Sequence, residues 1–373
     1  MRELLRDEGF GNEVFILTGK EKKYKLKFMK RVLITGGAGF IGTNLVLNLL
    51  KKKENYVVVY DNLSRKGVEK NIEYLLSFKL KNFEFVKGDI RDYKKLKEIV
   101  RDFDVIYHLA AQVAVTRSVE DPIEDFEINA IGTLYLLEAI RKNCPNSIII
   151  FSSTNKVYGQ LSHLRLEEKP KRYQLIDRKN GIDENENIDF HSPYGCSKGI
   201  ADQYIKDYYR IYRIKSVVFR QSCIYGPFQY GNEDQGWVAH FVIKAILDEK
   251  INIYGDGKQV RDILEVSDLI SAYKLAVKNI EKCKGEIFNL GGGIKNTFSL
   301  LELIEFLEKK LNRKIKLEFF DWRPGDQKVF ISDNKKFEKM TNWKIKIDKK
   351  KGVENLIKWV KKNISVIKEV CQK

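Results

Sequence analysis

"TGGAGFIG", Thr35 to Gly42, decides the fold of this 373-residue chain. An apolar run, "RVLIT" (Arg31–Thr35), precedes it, and "FIGTNLVLNLLKKK" (Phe40–Lys53) follows with apolar residues at helical spacing. Gly36, Gly39 and Gly42 therefore stand at a strand-to-helix turn in G-x-x-G-x-x-G spacing. Residues without a Cβ let the backbone turn tightly and let a pyrophosphate come close. Phe40 and Ile41 then open a helix whose N–H groups and dipole face that anion. A glycine triplet alone is a weak signal; the strand before it and the amphipathic helix after it make it a dinucleotide-binding turn. Its acidic partner is Asp61, closing a second apolar run in "YVVVYDN" (Tyr56–Asn62). A carboxylate there accepts hydrogen bonds from the adenosine ribose and repels a 2′-phosphate, which favours NAD over NADP, although Arg65 and Lys66 nearby pull the other way.

The alternation continues outward. "VEKNIEYLLSFKL" reads as a helix, "FEFVKGDI" as a third strand, "YKKLKEIVRD" as a helix and "DVIYHLAA" as a fourth strand. The helix "AIGTLYLLEAIRKN" and the strand "SIIIF" follow. Strands alternating with helices predict an α/β protein with a Rossmann-type doubly wound parallel sheet, built from right-handed βαβ units. The strand ends are expected to line the cofactor: Asn62 beside Asp61, Asp89 and Ile90 at the adenine edge, Leu109, Ala110, Ala111 and Gln112 beneath the dinucleotide, with Asn129 and Ser152 completing the set.

Beyond Gly159 a polar stretch, residues 160–191, is too long for an ordinary connection and is expected to form a flap or a lobe edge near the substrate. The helix "PYGCSKGIADQYIKDYYRIYR" and the strand "SVVFRQ" return to the alternation, which "IYGPFQYGNEDQGWVAHF" breaks. The expected division is a cofactor domain over 29–224, to which 258–293 return, and a smaller α+β substrate lobe from 225–257 and 294–373. Residues 1–28 look unlike the rest; translation from Met29 and a small N-terminal arm both remain open for them.

Composition narrows the class. No apolar run reaches the roughly 18–20 residues that cross a bilayer, and the N-terminus lacks the apolar core of a signal peptide. The five cysteines are scattered and the four histidines form no ligand pattern, so no metal is expected and a soluble, cytoplasmic, reduced protein is. The net charge of +17 is spread over lysine-rich helix faces such as "KKLNRKIKLE". No nucleic-acid-binding signature accompanies it, so the expected partner is an anionic small molecule and not a nucleic acid or a membrane.

"SPYGCSKG" (Ser192–Gly199) places Tyr194 and Lys198 at i and i+4, on one helix face. Ser192 before Pro193 suits a helix cap. A phenol with pKa near 10 is a poor base at neutral pH. A cation one turn away, helped by the nicotinamide charge, is expected to lower it so that it can take a proton from a hydroxyl. Thr154, at the end of the fifth strand in "SSTNKVYG", would hydrogen-bond the same oxygen.

"TGGAGFIG", "YDN", "GDI", "HLAA", "SSTNKVYG" and "YGCSK" together resemble the extended short-chain dehydrogenase/reductase family of nucleotide-sugar enzymes, over Met29 to about Val360. "NGIDENENIDFHSPYGCSKGIADQY", "DQGWVAHF" and "GDGKQVRDILEVSDLI" narrow the resemblance to the CDP-sugar 2-epimerases of that family. The resemblance implies an NAD-dependent epimerase with Thr154, Tyr194 and Lys198 as its catalytic set. Tyr194 would take the C2 hydroxyl proton as NAD⁺ takes the C2 hydride, the 2-keto sugar would turn over, and the hydride would return to the other face. It implies that Arg261 and Arg323 hold the nucleotide diphosphate, and that Asn155, Lys156, Gln221 and Asp326 complete the substrate site with Thr154. Gly226 and Pro227 match the mouth of the substrate lobe. It also implies a homodimer or homotetramer.

Positions 155 and 156 discriminate among reactions on this fold. In the family's 4,6-dehydratases an Asp-Glu pair there supplies the acid and base that eliminate water; here the pair is Asn155-Lys156. An amide is no general acid, and an ammonium is a poor base unless its pKa drops strongly, so elimination is disfavoured. A UDP-hexose 4-epimerase, using the same Thr/Tyr/Lys logic, and a non-catalytic NAD-binding scaffold remain as alternatives.

Overall fold

The computed structural model describes residues 29–323 and 325–371; the segment 1–28 lies outside them. Seven parallel strands form the main sheet: β1 (Lys30–Thr35), β2 (Asn55–Asp61), β3 (Phe83–Lys87), β4 (Val105–His108), β5 (Ile148–Thr154), β6 (Lys215–Gln221) and β7 (Glu286–Leu290). Their order is β7-β6-β5-β4-β1-β2-β3. The direction of winding reverses between β1 and β4, and a crevice opens there beyond the carboxyl ends of the strands.

The sequence explains the layers. A strand covered on both faces must be apolar on both, and successive side chains alternate between them. Val32 and Ile34 of β1 pack on one side with Leu45 and Val46 of α1 (Phe40–Leu50). Leu33, between them, packs on the other side with Ile106, Ile149 and Leu136. Leu136 belongs to α4 (Gly132–Asn143), after α2 (Val68–Ser77) and α3 (Tyr93–Ile99). α5 (Pro193–Tyr212) covers β5 and β6 through Ala201 and Ile205. Among the described residues no helix is long and apolar enough to cross a membrane.

The second lobe has its own core. Val238 and Phe241 of α6 (Trp237–Leu247), Leu303 and Leu307 of a helix over Leu300–Leu311, and Leu356 and Val360 of a helix over Lys349–Lys362 close around Ile253 and Ile263. The Leu300–Leu311 helix starts in a capping box: Ser299 Oγ accepts from Glu302 N, and Glu302 accepts from Ser299 N.

Residues 160–191, expected to form a flap or a lobe edge near the substrate, contain a hairpin (Leu166–Glu168 with Tyr173–Leu175) that packs on the second lobe. Tyr173 N donates to Lys258 O at 2.9 Å, and Ile182, fully buried, donates to Ile331 O at 2.7 Å. This stretch is a lobe edge, not a loose flap. The 258–293 return begins late: Val260–Glu265 pairs with Cys223–Tyr225, Thr297–Ser299 and Val329–Phe330 in the small sheet, and only α7 (Val266–Lys278) and β7 rejoin the main one.

Candidate active site

The glycine turn holds its shape for steric reasons. Gly36 has φ +71°, and a Cβ there would lie 2.5 Å from Ala110 N; at Gly42 it would lie 2.5 Å from Gly37 Cα. α1 therefore packs directly on the turn, and Gly36 on the end of β4. At Gly39 a Cβ would meet one atom, Gly36 O, at 3.2 Å, a tight contact but a milder one than at Gly36 or Gly42. The Asp61 carboxylate locks the turn to β2, its Oδ2 accepting from Ala38 N at 3.0 Å and its Oδ1 from Leu63 N at 2.8 Å. Burial raises its pKa and these two N–H donors oppose that. Asn62 donates to Asp89 at 2.9 Å, and the Arg91 guanidinium holds the Asp89 carboxyl down at about 2.

Together these groups wall a cleft of about 530 Å³. Every residue expected to hold the cofactor lines it except Asn129. Glycines with backbone N–H groups at a helix start, and a carboxylate side chain at the next strand end, fit a dinucleotide. Arg65, the group that weakened the preference for NAD, donates to Gln235 Oε1 at 2.5 Å.

Asn129 lies behind the wall. It sits in a π-helical turn, Glu127–Ile131, and its Nδ2 contacts Gln112 O, Asp125 Oδ1 and Ser197 Oγ, each at 3.1 Å. Its Oδ1 is buried with no partner.

Tyr194 and Lys198 enter the cleft from the first turns of α5, which Ser192 caps by accepting from Gly195 N at 3.0 Å. Both side chains are buried. Their electrostatics differ from expectation. The Tyr194 phenol is pushed up to about 12 by burial, against the lowering effect of a hydrogen bond from Thr154. Lys198 Nζ turns instead to Ser152 O, 2.6 Å away, and lies 4.2 Å from the Phe151 ring centroid. Burial brings this lysine down to about 7. The one-turn spacing alone therefore does not make a tyrosinate: desolvation dominates the phenol.

The expected substrate residues form a second group. Asn155 Nδ2 donates to Gln327 Oε1 at 3.1 Å. Lys156 Nζ donates to Gly325 O at 3.2 Å and lies 3.6 Å from Asp326, which also accepts from Arg261 at 3.2 Å. Thr154, Asn155, Lys156, Arg261 and Asp326 thus come together. Arg323 does not join them, and Gln221 stands beside Thr154 on the neighbouring strand with its amide turned to Tyr273. Arg323 lies 3.7 Å from the centroid of the Tyr254 ring and donates to Glu233 O at 2.7 Å, while Gln221 is buried against Tyr273.

Three buried polar groups escaped the sequence reading. Asp202 and Arg220 form a bidentate pair (2.8 and 3.1 Å) that also takes Ser153 Oγ (3.0 Å) and Tyr158 (3.0 Å), fixing the end of β5. The i,i+4 spacing from Lys198 to Asp202 was the available signal. Asp125 accepts from Gln112, Asn129 and Ser197. His108 bridges Thr35 Oγ1 (2.8 Å) and Thr133 Oγ1 (2.9 Å), and burial, with Lys198 nearby, lowers its pKa to about 3.

His108 has a measurable consequence. Its folded pKa lies below its unfolded value of about 6.5, so between about pH 6.5 and 3 the unfolded chain binds the extra proton. Stability from this group is complete above pH 6.5 and is lost as pH falls. A folded His108→Gln variant is expected to lose less stability than wild type between pH 7 and 4.5 in denaturant titrations. Equal losses in the two proteins would reject a neutral buried imidazole.

Fold, cleft and residue set define a dinucleotide-dependent enzyme of the extended short-chain dehydrogenase/reductase class. Residues 33–356 match the family profile described as GDP-mannose 4,6 dehydratase, and the chain belongs to that family. It is 46% identical to CDP-paratose 2-epimerase of Salmonella typhi, over 88% of this chain and 98% of that one. A UDP-glucose 4-epimerase of Thermotoga maritima, solved with UDP-glucose, superposes with TM-score 0.75 at 31% identity, over 90% of this chain and 99% of that one. A UDP-glucuronic acid 4-epimerase of Bacillus cereus, solved with UDP-glucuronic acid and NAD, does so with TM-score 0.77 at 29% identity, over 89% and 99%. NAD is the cofactor of this family of nucleotide-sugar epimerases and dehydratases.

Proposed function

We propose that the protein epimerises a CDP-sugar, converting CDP-paratose to CDP-tyvelose by transient oxidation at C2. The observation that carries this reading is the side-chain pair after Thr154. Asn155 is bonded to Gln327, and Lys156 is paired with Asp326, where elimination of water needs an acid and a base. The Asp326 carboxylate itself is held between two cations, Lys156 and Arg261. The 46% identity to the Salmonella typhi CDP-paratose 2-epimerase supports the choice of base and sugar carbon.

In this reading Tyr194 takes the C2 hydroxyl proton and later returns it, and Thr154 orients the hydroxyl by hydrogen bonding. Bound NAD supplies a hydride acceptor and donor and a positive charge beside the phenol. Lys198, tied to Ser152 O, contributes the remaining cation. Arg261, freed from Asp326, offers a planar fork to the diphosphate, while Arg323 stands apart over the Tyr254 ring. Assembly as a dimer or tetramer is supported by Ile123, Phe126, Tyr204 and Ile211, large apolar side chains exposed on neighbouring helices.

The test is direct. Purified protein without added NAD is incubated with CDP-paratose and, separately, with UDP-glucose, and the products are followed by NMR. Inversion at C2 of the CDP-sugar is the expected result. Inversion at C4 of the UDP-sugar with no CDP-sugar turnover would replace this reading by a UDP-hexose 4-epimerase.

A further inference from the structure

Between Cys223–Tyr225 and α6 the chain leaves the second lobe and runs along the cofactor cleft. Phe228, Gln229, Tyr230, Asn232, Asp234 and Gln235 line the same cleft as the glycine turn and Asp61. The start of this segment is fixed on the cofactor domain. Pro227 O accepts from Asn44 Nδ2 of α1 at 2.8 Å, and Phe228 O accepts from Asn71 Nδ2 of α2 at 3.3 Å. Phe228 has φ +65°, a left-handed conformation that a bulky residue holds only where its surroundings impose it. The middle is seated on Gly67, where a Cβ would lie 2.6 Å from the Tyr230 ring.

The tip is braced from the other side. Asn232 Oδ1 accepts from Asp234 N at 3.1 Å and Gln235 N at 2.9 Å, closing a tight turn. The Glu233 carboxylate accepts from Asn252 Nδ2 at 2.7 Å and from the Tyr254 hydroxyl at 3.0 Å, both of the second lobe. From this turn Gln235 Oε1 reaches back to the cofactor domain and accepts from Arg65 Nη2 at 2.5 Å. The start of the segment is thus tied down by two amides, whereas its tip meets the cofactor domain through one side-chain bond.

We propose that residues 227–235 form a strap that holds NAD in the cleft between turnovers, with the Arg65–Gln235 bond as its clasp. The inference rests on the reading above, in which NAD is both hydride acceptor and donor within one turnover and has no need to leave. The dinucleotide enters and leaves when the clasp opens and the tip swings away from Arg65.

The charges around Arg65 fit this role. Among the described residues no carboxylate pairs with its guanidinium, and burial alone lowers its pKa. The two acids nearest in the cleft wall are engaged elsewhere: Asp61 accepts from Ala38 N and Leu63 N, and Asp234 lies 3.9 Å from Arg323. A half-buried cation held only by a neutral amide is costly. A dinucleotide in the same cleft brings the negative charge of its two phosphates, so a filled cleft favours the clasped arrangement.

The test follows exchange of the cofactor. Protein loaded with radiolabelled NAD is chased with unlabelled NAD, and retained label is counted after rapid gel filtration; uptake is timed in the same way on cofactor-free protein. Gln235→Ala is expected to speed release about tenfold, through loss of a hydrogen bond from a charged donor. Uptake should quicken too, because one opening serves both directions. Gln235→Glu gives Arg65 a charged partner and should slow both below wild type. In an Arg65→Met background Gln235→Ala should change release by less than about twofold, since the bond is already gone. Release unchanged in folded Gln235→Ala overturns the proposal. So does an equal gain in the Arg65→Met background. Faster release with unchanged uptake overturns it as well, since that marks a lost contact with NAD and not a strap. Should Gln235→Ala not fold, Gln235→Glu decides, and exchange no slower than wild type overturns the proposal. The measurement needs no sugar and no turnover, so failure of the epimerase reading and failure of the strap are separate outcomes.

Discussion

Tyr194→Phe is expected to lower turnover by ~10²–10⁴-fold, the range for loss of a general acid–base, while NAD stays bound. The substitution removes one oxygen from a side chain buried at the start of α5 and leaves the glycine turn, Asp61 and Lys198 in place. Among the described residues, the bond it deletes is that with Thr154. Cofactor content, read from nucleotide released on denaturation, should therefore match wild type. Turnover above a tenth of wild type would reject Tyr194 as the base. The phenol has a second signature. Because burial holds it near 12 in the cofactor-free protein, it is protonated at pH 7. The difference in ultraviolet absorbance between wild type and Tyr194→Phe should show a tyrosinate step near pH 12, moving to lower pH when NAD is added. A step that stays in place would mean that the bound cofactor does not activate this residue.

Gly36→Val is expected to abolish NAD binding and lower the melting temperature together. A left-handed φ of +71° at a β-branched residue costs ~1–3 kcal/mol by itself. The new Cβ would also lie 2.5 Å from Ala110 N and 2.7 Å from Leu109 C, backbone atoms that move only if β4 moves. Gly39→Ala separates the two effects. Its Cβ meets only Gly36 O, at 3.2 Å, a contact relieved by a shift of a few tenths of an ångström, so stability should fall far less than in Gly36→Val while the methyl occupies the face the pyrophosphate needs. NAD content and thermal unfolding, measured on both variants, check this pattern. A Gly36→Val protein that retains NAD and melts with wild type would remove the steric argument for the turn.

The sheet was legible because its central strands are apolar on both faces and β1 to β4 are each followed by a helix. Val32, Leu33 and Ile34 need cover on two sides, and only a doubly wound arrangement supplies it. The cleft was legible for the same local reason: a glycine turn and the next strand's terminal carboxylate are near each other in any such fold. The 160–191 segment was not, because its place depends on distant partners. Arg172 reaches Glu302 at 3.2 Å and Lys171 reaches Glu305 at 2.9 Å, contacts between residues more than a hundred positions apart. Val260–Glu265 was misplaced because an apolar strand beside a helix fits either sheet, and the choice rests on pairing with Cys223–Tyr225 and Thr297–Ser299.

The sequence by itself determined the parallel α/β architecture, the dinucleotide cleft and the presence of Tyr194 and Lys198 on one helix face, since periodicity, glycine spacing and i,i+4 geometry are local properties. Only the tertiary structure decided the charges in that site. Burial raises the phenol and lowers the lysine, because desolvation depends on everything packed around a group. It also decided that Asn155 and Lys156 turn to Gln327 and Asp326, and that a buried aspartate, Asp125, stands behind the catalytic helix, for these meetings join segments that the chain keeps far apart.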